Sequence, residues 1–320
     1  MKKVSAALAL EFWLRSPHAS AFTHPDILQK LAYKVDWLGC FKGHELLCIW
    51  PVCLNQDCEV VRPAFVYYVG PMWSPESVSG AEHRRLSTDT NVYESFIAYM
   101  AAEYGAVRAS LPLGLNDVRV FDWWNYHEPG KPRFTIQPRY TAVLEALQSE
   151  SMESIIRRFR EVRRHELRKA QVLDDVVIGF GALVEELVEL YEVTLARQGI
   201  TIGEDEKKQI HRLVEIVGDG FGEVVTVRAH NDGNKLMYAA LLLKDRWSAH
   251  LLLKLNNLES RGHNFAVLGM CSAIEWAKNQ GCQVFDFNGA NSPRRGDDKH
   301  SYGAKALLYF DISFDSNGCH

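Results

Sequence analysis

Hydrophobic and polar residues follow one another along this chain with two periods, one typical of helices and one typical of strands. In the second half, apolar residues recur at helical spacing in three segments. The pattern predicts helices at Ser151–Gln171, Leu183–Gln198 and Glu204–Val217. Thr201 stands three residues before Glu204, the spacing of a capping box, and is predicted to begin the third helix.

The rest of the second half has mainly the period of strands. In chain order it predicts strands Glu223–Ala229, Lys235–Leu243 and Trp247–Leu255, a helix Phe265–Asn279 ended by Gly281, a strand Cys282–Phe287, a polar loop and a final strand Ala304–Phe314. Asp232-Gly233 separates the first two strands and predicts a hairpin turn.

The first half follows a similar order. It predicts short helices Ala6–Leu14 and Pro25–Leu31, hairpin strands Val35–Phe41 and Leu46–Cys53, a strand Arg62–Val69, a helix Asn91–Glu103 and strands Val107–Leu111, Arg119–Trp124 and Arg133–Val143. The architecture thus occurs twice, without sequence identity between the copies. We predict an α/β (α+β) fold of two domains, residues 1–147 and 148–320, each with a mixed, mostly antiparallel sheet flanked by helices.

The composition suits a globular protein with a sizeable core, since 47% of the residues are apolar and 24% are charged. A formal net charge of -4 argues against a protein whose whole surface binds nucleic acid, but it does not exclude a local basic groove. Seven cysteines without a Cys-x-x-Cys pair indicate reduced thiols in a cytoplasmic protein and no metal site. Glu11 and Arg15 interrupt the apolar start, which favours an amphipathic helix over a signal peptide, and no run approaches the ~18 apolar residues of a membrane span.

Several segments carry the pattern of one family. Phe285–Ala290 reads F-D-F-N-G-A, a strand that ends in D-F-x-G, and Lys299–Ala304 reads K-H-S-Y-G-A, with the form K-x-x-[FY]-G. Arg164–Ala170 has the form R-x-x-[IL]-[RK]-[RK]-A, and Asp122–Trp124 and Pro138–Thr141 add a tryptophan segment and an R-Y-T segment. Over most of its length the chain resembles the Fem family of peptidoglycan peptide-bridge transferases in the GNAT superfamily.

The resemblance implies two GNAT-like domains that face each other across a cleft and transfer an activated group to an amine. The donor would be an acyl-CoA or an aminoacyl-tRNA, and the acceptor, on the side of the N-terminal domain, a small molecule or a cell-wall or polysaccharide precursor. The chain lacks the long coiled-coil arm that some members use with tRNA. Its segment 261–264 has one glycine, unlike the Q/R-x-x-G-x-G/A of coenzyme A-binding GNAT enzymes, so both donors stay open.

The predicted helix at 151–171 is strongly basic, with seven Lys or Arg residues from Arg157 to Lys169. At 100° per residue, one side of it carries Arg157, Arg160, Arg164 and Arg168. Arg163 falls within the apolar face, where it must meet a carboxylate or a ligand phosphate. The helix is either a solvated surface helix or a wall that binds the donor's phosphates through Arg163, Arg164 and Arg168.

The segment Arg261–Asn264 precedes the predicted helix Phe265–Asn279. A helix start offers backbone N–H groups to an anion, and Gly262 permits close approach of the backbone. Candidate residues for binding a donor pyrophosphate are therefore Arg261, Gly262, His263 and Asn264, with an ordinary loop as the alternative.

Four polar residues are candidates for the chemistry. The resemblance places Asp286 beside the strand of His250, where GNAT strands splay apart. Asp286 is a candidate to orient the acceptor amine or take its proton, and His250 is a candidate base, although structural hydrogen bonds explain either residue. Lys299 aligns with a family lysine that the resemblance assigns to the oxyanion, or it is a mobile loop lysine. Tyr302 is a turn or packing residue and a candidate substrate contact.

The first half contains an aromatic-rich set, most of which we expect in the core: Tyr67, Tyr68, Trp73, Trp123, Trp124 and Tyr126. Trp123 and Trp124 are candidates to line a groove for the acceptor. Aminolysis of a thioester or ester needs alignment, proton removal and oxyanion stabilisation, and no nucleophile from the enzyme. The other functions to weigh are a coenzyme A-dependent N-acetyltransferase for a small amine and a catalytically silent module that binds an anion or nucleic acid.

Overall fold

The computed structural model describes residues 1–79, 81–196, 199–230, 232–257 and 264–316, apart from the side chains of Arg84 and Arg295. The elements up to residue 144 are β1 (Lys2–Val4), α1 (Ala6–Trp13), α2 (Pro25–Leu31), β2 (Lys34–Lys42), β3 (Glu45–Leu54), β4 (Met72–Trp73), α3 (Glu82–Tyr104), β5 (Ala106–Ser110), α4 (Arg119–Asp122) and β6 (Thr135–Leu144). Those that follow are α5 (Met152–Arg157), α6 (Glu161–Ala170), β7 (Val176–Phe180), α7 (Val184–Ala196), α8 (Glu204–Ile216), β8 (Gly222–Ala229), β9 (Lys235–Lys244), β10 (Ser248–Asn256), α9 (Phe265–Asn279), β11 (Val284–Asp286), α10 (Pro293–His300) and β12 (Lys305–Asp315).

The chain divides into two compact units. Unit 1 comprises Met1–Arg139 and the chain from Leu308 onward, and unit 2 comprises Tyr140–Leu307. The division falls inside β6, ahead of the boundary at residue 147 that the sequence pattern suggests. It falls a second time inside β12, so the chain leaves unit 1 and later returns to it.

Unit 1 has an antiparallel sheet in which β1, β2, β3 and β4 lie in chain order. In the same unit β5 pairs with β12 antiparallel, with Val107 opposite Phe314. The inward side chains of these strands pack against α3 and α4. Trp50 contacts the rings of Phe96 and Phe121 there, and all three side chains are buried.

Unit 2 has a sheet in the order β6, β11, β10, β9, β8, β7. Its neighbouring strands are antiparallel, except that β10 and β11 run parallel. Helix α9 packs against β9 so closely that a Cβ atom on Gly269 would lie 2.2 Å from the ring of Tyr238. Only glycine fits at this contact. The two-domain α/β fold predicted from the sequence is confirmed.

Most predicted helices and strands are present, and four of the wrong predictions have local reasons. The segment 62–69 is not a strand, because Phe65 and Tyr68 have positive φ angles that interrupt an extended backbone. The segment 119–124 begins as helix α4, where the side chain of Asp117 accepts a hydrogen bond from the Arg119 N–H at 3.1 Å. The cap of α8 is at Gly203, not at Thr201, because the Glu206 carboxylate accepts from the Gly203 N–H at 2.7 Å.

The fourth wrong prediction is the polar loop before the last strand, which contains helix α10. Its sequence has no apolar periodicity, so the pattern gave no helical signal. Within the ranges that the structure describes, no helix is both long enough and apolar enough to cross a membrane.

Candidate functional site

The parallel pair β10–β11 is short and ends at a buried polar position. Ser248, Ala249 and His250 pair with Val284, Phe285 and Asp286 in that order. Beyond this register β10 shifts its pairing with β9 between Leu251 and Leu253. The side chain of Asn288 links the two segments here, because its Nδ2 donates to the Leu251 carbonyl at 3.1 Å. The sheet therefore parts after His250 and Asp286.

The side chain of Asn288 is buried, yet only one of its two polar atoms forms a hydrogen bond with the described residues. Its Nδ2 is bonded, whereas its Oδ1 is buried without a hydrogen-bond partner among the described residues. A buried acceptor that lacks a donor costs about 1–3 kcal/mol. The atom therefore favours a ligand that brings an N–H or O–H group to this point.

His250 lies between two carboxylates. Its Nε2 is 2.9 Å from Oδ2 of Asp245, and its Nδ1 is 3.5 Å from Oδ2 of Asp286. All three side chains are buried. Burial lowers the pKa of His250, but the two carboxylates outweigh it and raise this pKa to about 9. This pKa gives an imidazolium at neutral pH, which favours the structural interpretation of His250 over that of a base.

Asp286 faces His250 with Oδ2 and accepts two hydrogen bonds with Oδ1. Its Oδ1 accepts from the hydroxyl of Thr141 at 2.5 Å and from the Asn288 N–H at 2.8 Å. Because Asp286 is 1% exposed and engaged on both oxygens, it fixes the end of β11 and the turn that follows. The geometry makes Asp286 a positioning residue for Asn288.

Lys299, on helix α10, reaches the same turn. Its Nζ donates to the carbonyl of Asn288 and, at 2.7 Å, to the carbonyl of Gly289. The ammonium group is therefore placed beside the point where β10 and β11 part, rather than on a mobile loop. A cation in this position stabilises negative charge that develops nearby.

A network of charged groups holds α10 in place. Arg163 on α6 donates through Nε to Ser301 at 2.8 Å, through Nη1 to Glu166 at 2.7 Å and through Nη2 to Asp298 at 2.7 Å. Asp298 also accepts from Lys254 of β10 at 2.5 Å. Of the two kinds of partner predicted for Arg163, the structure shows the carboxylates of Glu166 and Asp298.

Tyr302 packs within this network. Its ring stacks on Phe287 with centroids 5.8 Å apart and lies beneath the cations of Arg163 and Lys254 at 5.4 and 5.6 Å. The side chain is fully buried, as expected of a packing residue, and its hydroxyl has no hydrogen-bond partner among the described residues. The adjoining Gly303 is required by a close contact, since a Cβ there would lie 2.8 Å from Cβ of Arg158.

The predicted basic helix consists of two helices, which changes its surface. The chain leaves helical geometry at Arg160, whose N–H donates to the Ser301 carbonyl at 2.8 Å. Arg157 and Arg160 are therefore no longer in register with the arginines of α6. Arg164 donates to the Arg157 carbonyl at 3.1 Å, and Arg168 is exposed. Neither Arg164 nor Arg168 has a carboxylate partner in the described part of the chain, so both remain candidates for binding an anion.

The predicted pyrophosphate turn falls mostly outside the described residues, which exclude Arg261, Gly262 and His263. Asn264 begins α9 in the left-handed conformation, with φ 59°. Its carbonyl accepts from the Val267 N–H at 3.2 Å. No group of three or more His, Cys, Asp or Glu side chains in the described ranges has the arrangement of a metal site.

Trp123 and Trp124 lie in unit 1, directly after α4. Trp123 is 54% exposed and stacks on Tyr126 with ring centroids 4.3 Å apart. Trp124 packs against the core of unit 1. Both side chains line a cavity of about 970 Å³ formed by residues of unit 1.

Sequence reasoning missed three residues of the site in unit 2, namely Lys254, Asp298 and Asn288. Lys254 carried a visible signal, because it is the only charged residue in the otherwise apolar run Leu251–Leu255. A lysine in such a run needs a partner, but the pattern does not show that this partner is Asp298. Asn288 lies at the variable position of the D-F-x-G motif, and the motif assigns no role to that position.

Comparisons with known proteins agree with this geometry. Residues 157–299 match the family described as "Acetyltransferase (GNAT) domain". Among solved structures, FemX superposes with a TM-score of 0.61 at 13% identity, covering 97% of both chains. L-PGS from Bacillus licheniformis gives a TM-score of 0.57 at 11% identity, covering 99% of this chain and 94% of the other. A tandem GNAT protein from the clavulanic acid biosynthesis pathway gives 0.56 at 9% identity, covering 99% and 98%.

No curated protein matches this sequence. At these identities the likeness to solved structures concerns the fold. The resemblance to Fem-like GNAT proteins is confirmed at that level, and the matched segment holds Asn288, Asp286, His250 and Lys299.

Proposed function

We propose that this chain, whose fold is a tandem GNAT fold, is an N-acyltransferase that moves an acyl group from an activated donor to an amine. The observation that carries the proposal is the parallel pair β10–β11, which parts beside Oδ1 of Asn288, a buried atom that no described residue hydrogen-bonds. This opening lies within the segment that matches a GNAT acetyltransferase domain. Lys299 supplies a cation at the same place.

The donor in this proposal is a coenzyme A thioester. The pantetheine arm of coenzyme A carries amide N–H groups, which suit the unpartnered acceptor of Asn288. Its phosphates are anions that Arg164 and Arg168 of α6 can bind. Both cations are without carboxylate partners among the described residues, in contrast to Arg163.

An aminoacyl-tRNA is the second candidate donor, favoured by the basic surface of α6. Arg168 and Lys169 are exposed there, and a polyanion gains affinity from such neighbouring cations. Both donors are cytoplasmic molecules, so we propose a cytoplasmic location. Among acceptors, amines of cell-wall precursors come first because the motifs at 285–290 and 299–304 resemble those of the Fem family.

The proposed reaction is aminolysis. The amine nitrogen forms a bond to the donor carbonyl carbon, the C–S bond to coenzyme A breaks, and the proton lost by the amine passes through solvent to the leaving thiolate. Lys299 stabilises the negative charge on the carbonyl oxygen. Asp286 and His250 act as positioning residues, since the protonated His250 has no lone pair to accept the amine's proton.

Calorimetric titration of acetyl-CoA and of a charged tRNA against the protein tests the donor before an acceptor is known. We expect acetyl-CoA to bind, and we expect an amine panel that includes cell-wall precursor peptides to release free thiol. Lys299→Ala should lower kcat by about 100- to 1,000-fold, the scale found for removal of one oxyanion donor. Lys305→Ala is the matched control, because Lys305 is an exposed lysine paired with Glu145.

Two outcomes would contradict the proposal. If neither donor binds, the opening beside Asn288 has another role. If an anionic ligand binds with a steep salt dependence and no group is transferred, the chain is the catalytically silent module.

A further inference from the structure

The cavity in unit 1 has aromatic walls. Its volume is about 970 Å³, enough for an ordinary small-molecule ligand. Trp73 and Tyr93 line it from the core of the unit, and Trp123 and Trp124 line it from the segment after α4. Aromatic faces of this kind attract apolar groups and cations alike.

Two carboxylates of this cavity, the half-buried Asp89 and the exposed Glu94, have no partner among the described residues. Asp89, on α3, is half-buried and makes no hydrogen bond or ion pair with the residues that the structure describes. Burial and the carboxylate of Asp117 raise the pKa of Asp89, Arg85 lowers it, and the result is about 6. An unpaired carboxylate in a partly desolvated position gains from a cation.

The basic side chains of the cavity are engaged elsewhere. Arg119 forms a two-pronged pair with Asp117, at 2.8 and 2.6 Å, and Lys131 pairs with Glu128. Arg85 donates to the Val78 carbonyl at 3.3 Å. Beyond these two ion pairs the lining keeps the carboxylates of Asp89 and Glu94 against the single cation of Arg85, so the cavity has an excess of negative charge, which disfavours an anionic ligand.

Another unpartnered acceptor lines the same cavity. His18 has a buried Nδ1 without a hydrogen-bond partner among the described residues. Burial, together with Arg85, lowers the pKa of His18 to about 4, so the imidazole is neutral. A ring nitrogen in this state accepts a hydrogen bond in one of its two tautomers.

We propose that this cavity binds a ligand with a protonated amino group, whose ammonium is received by the carboxylate of Asp89 and by the faces of the surrounding aromatic rings. The N–H groups of such a ligand supply the donors that Asp89 and His18 lack. The binding stands independently of acyl transfer, and only the identification of this ligand as the acceptor rests on the proposed function. The bound ammonium is then a recognition group, because a protonated amine has no lone pair with which to attack a carbonyl.

Benzylamine and benzyl alcohol are probes of similar shape that differ in charge. We expect calorimetry or ligand-observed NMR at pH 7.5 to give benzylamine a Kd about tenfold or more below that of benzyl alcohol, which corresponds to one charge-assisted contact. Asp89→Asn should bring the two Kd values together. Trp123→Ala should weaken both probes, since it removes an aromatic wall, and benzylamine by the larger factor, since the ammonium also loses a ring face.

The matched control is Glu103→Gln, which changes an exposed carboxylate of the same helix outside the cavity. It should preserve the preference for benzylamine. Thermal melts of each variant separate a loss of binding from a loss of folding.

Lowering the pH provides a second readout of Asp89. With a pKa of about 6, the carboxylate is about one-tenth ionised at pH 5, so benzylamine should bind about tenfold more weakly there than at pH 7.5, and benzyl alcohol should not change. The titratable and charged groups that face Asp89 are Arg85 on its own helix, Asp117 on the neighbouring loop, Tyr93 and the buried thiol of Cys48. Asp117 stays ionised in this range, because its pair with Arg119 lowers its pKa.

Equal affinity for the two probes, or an undiminished preference in Asp89→Asn, would overturn the proposal. The acetyl-CoA titration proposed above uses no ligand with a protonated amine. If the protein prefers benzylamine but binds no acyl donor, the amine site stands and the proposed function fails. If it binds an acyl donor but shows no preference for benzylamine, the proposed function stands and the amine site fails.

Discussion

At the residue scale, the sequence predicts which side chains come together but not their protonation state. The resemblance to the Fem family places Asp286 beside the strand of His250, and the two residues pair in the structure. Asp245 lies between the predicted strands Lys235–Leu243 and Trp247–Leu255, and the sequence does not show that its carboxylate folds back to within 2.9 Å of His250. The carboxylate of Asp245 favours the charged form of His250. A histidine beside an aspartate is typical of a base, and here it is a buried cation.

The charge on His250 predicts how stability depends on pH. Its pKa rises from 6.5 when unfolded to about 9 when folded, so its contribution is fully present below pH 6.5 and is lost as the pH rises through 9. We expect the Tm difference between the wild type and His250→Gln to be largest near pH 6 and to shrink toward pH 9.5. His211→Gln, at an exposed histidine of α8, should show no such trend in thermal melts. A Tm difference for His250→Gln that stayed constant over this range would mean that the histidine is neutral.

At the scale of elements, periodicity locates helices but does not show where tertiary hydrogen bonds interrupt them. The basic segment at 151–171 has one continuous helical pattern, and the chain breaks it at Arg160 to reach the carbonyl of Ser301. Helix α10 is missed for the opposite reason, since tertiary pairs such as Arg163–Asp298 hold a segment without apolar periodicity. The place of Arg163 on the apolar side nevertheless predicts that it meets a carboxylate or a ligand phosphate, and the structure shows the carboxylates of Glu166 and Asp298.

The contact between α6 and α10 can be tested by two arginine substitutions. Arg163→Met removes three hydrogen bonds to Ser301, Glu166 and Asp298, so we expect the free energy of unfolding to fall by about 2 kcal/mol. Arg157→Met removes an exposed pair with Glu153 at 3.5 Å and should change it by at most about 0.5 kcal/mol. Urea denaturation of both variants measures the difference. Equal effects would show that the network adds no more than a surface pair.

At the scale of the whole molecule, the twofold order of elements predicts two domains, and the actual division between them is not visible in composition. The polar segment at 148–151 resembles a linker, whereas the chain enters unit 2 at Tyr140, inside strand β6. A strand that passes from one unit into the next has no break in its alternation. Pairing of Val143 with Asp286 and of Leu144 with Phe285 determines the boundary instead.

Two fragments distinguish these boundaries. A fragment of residues 140–307 keeps the end of β6, whose side chains Ala142, Val143 and Leu144 are at most 1% exposed, and the hydroxyl of Thr141 that donates to Asp286. A fragment of residues 148–307 loses them, and burial of one such leucine alone contributes about 1.5–3 kcal/mol. Because a domain has only about 5–15 kcal/mol of net stability, we expect the longer fragment to melt cooperatively and the shorter one to melt at a much lower temperature or without a transition. Circular dichroism measures both melts, and equal Tm values would place the edge of the second folding unit after β6.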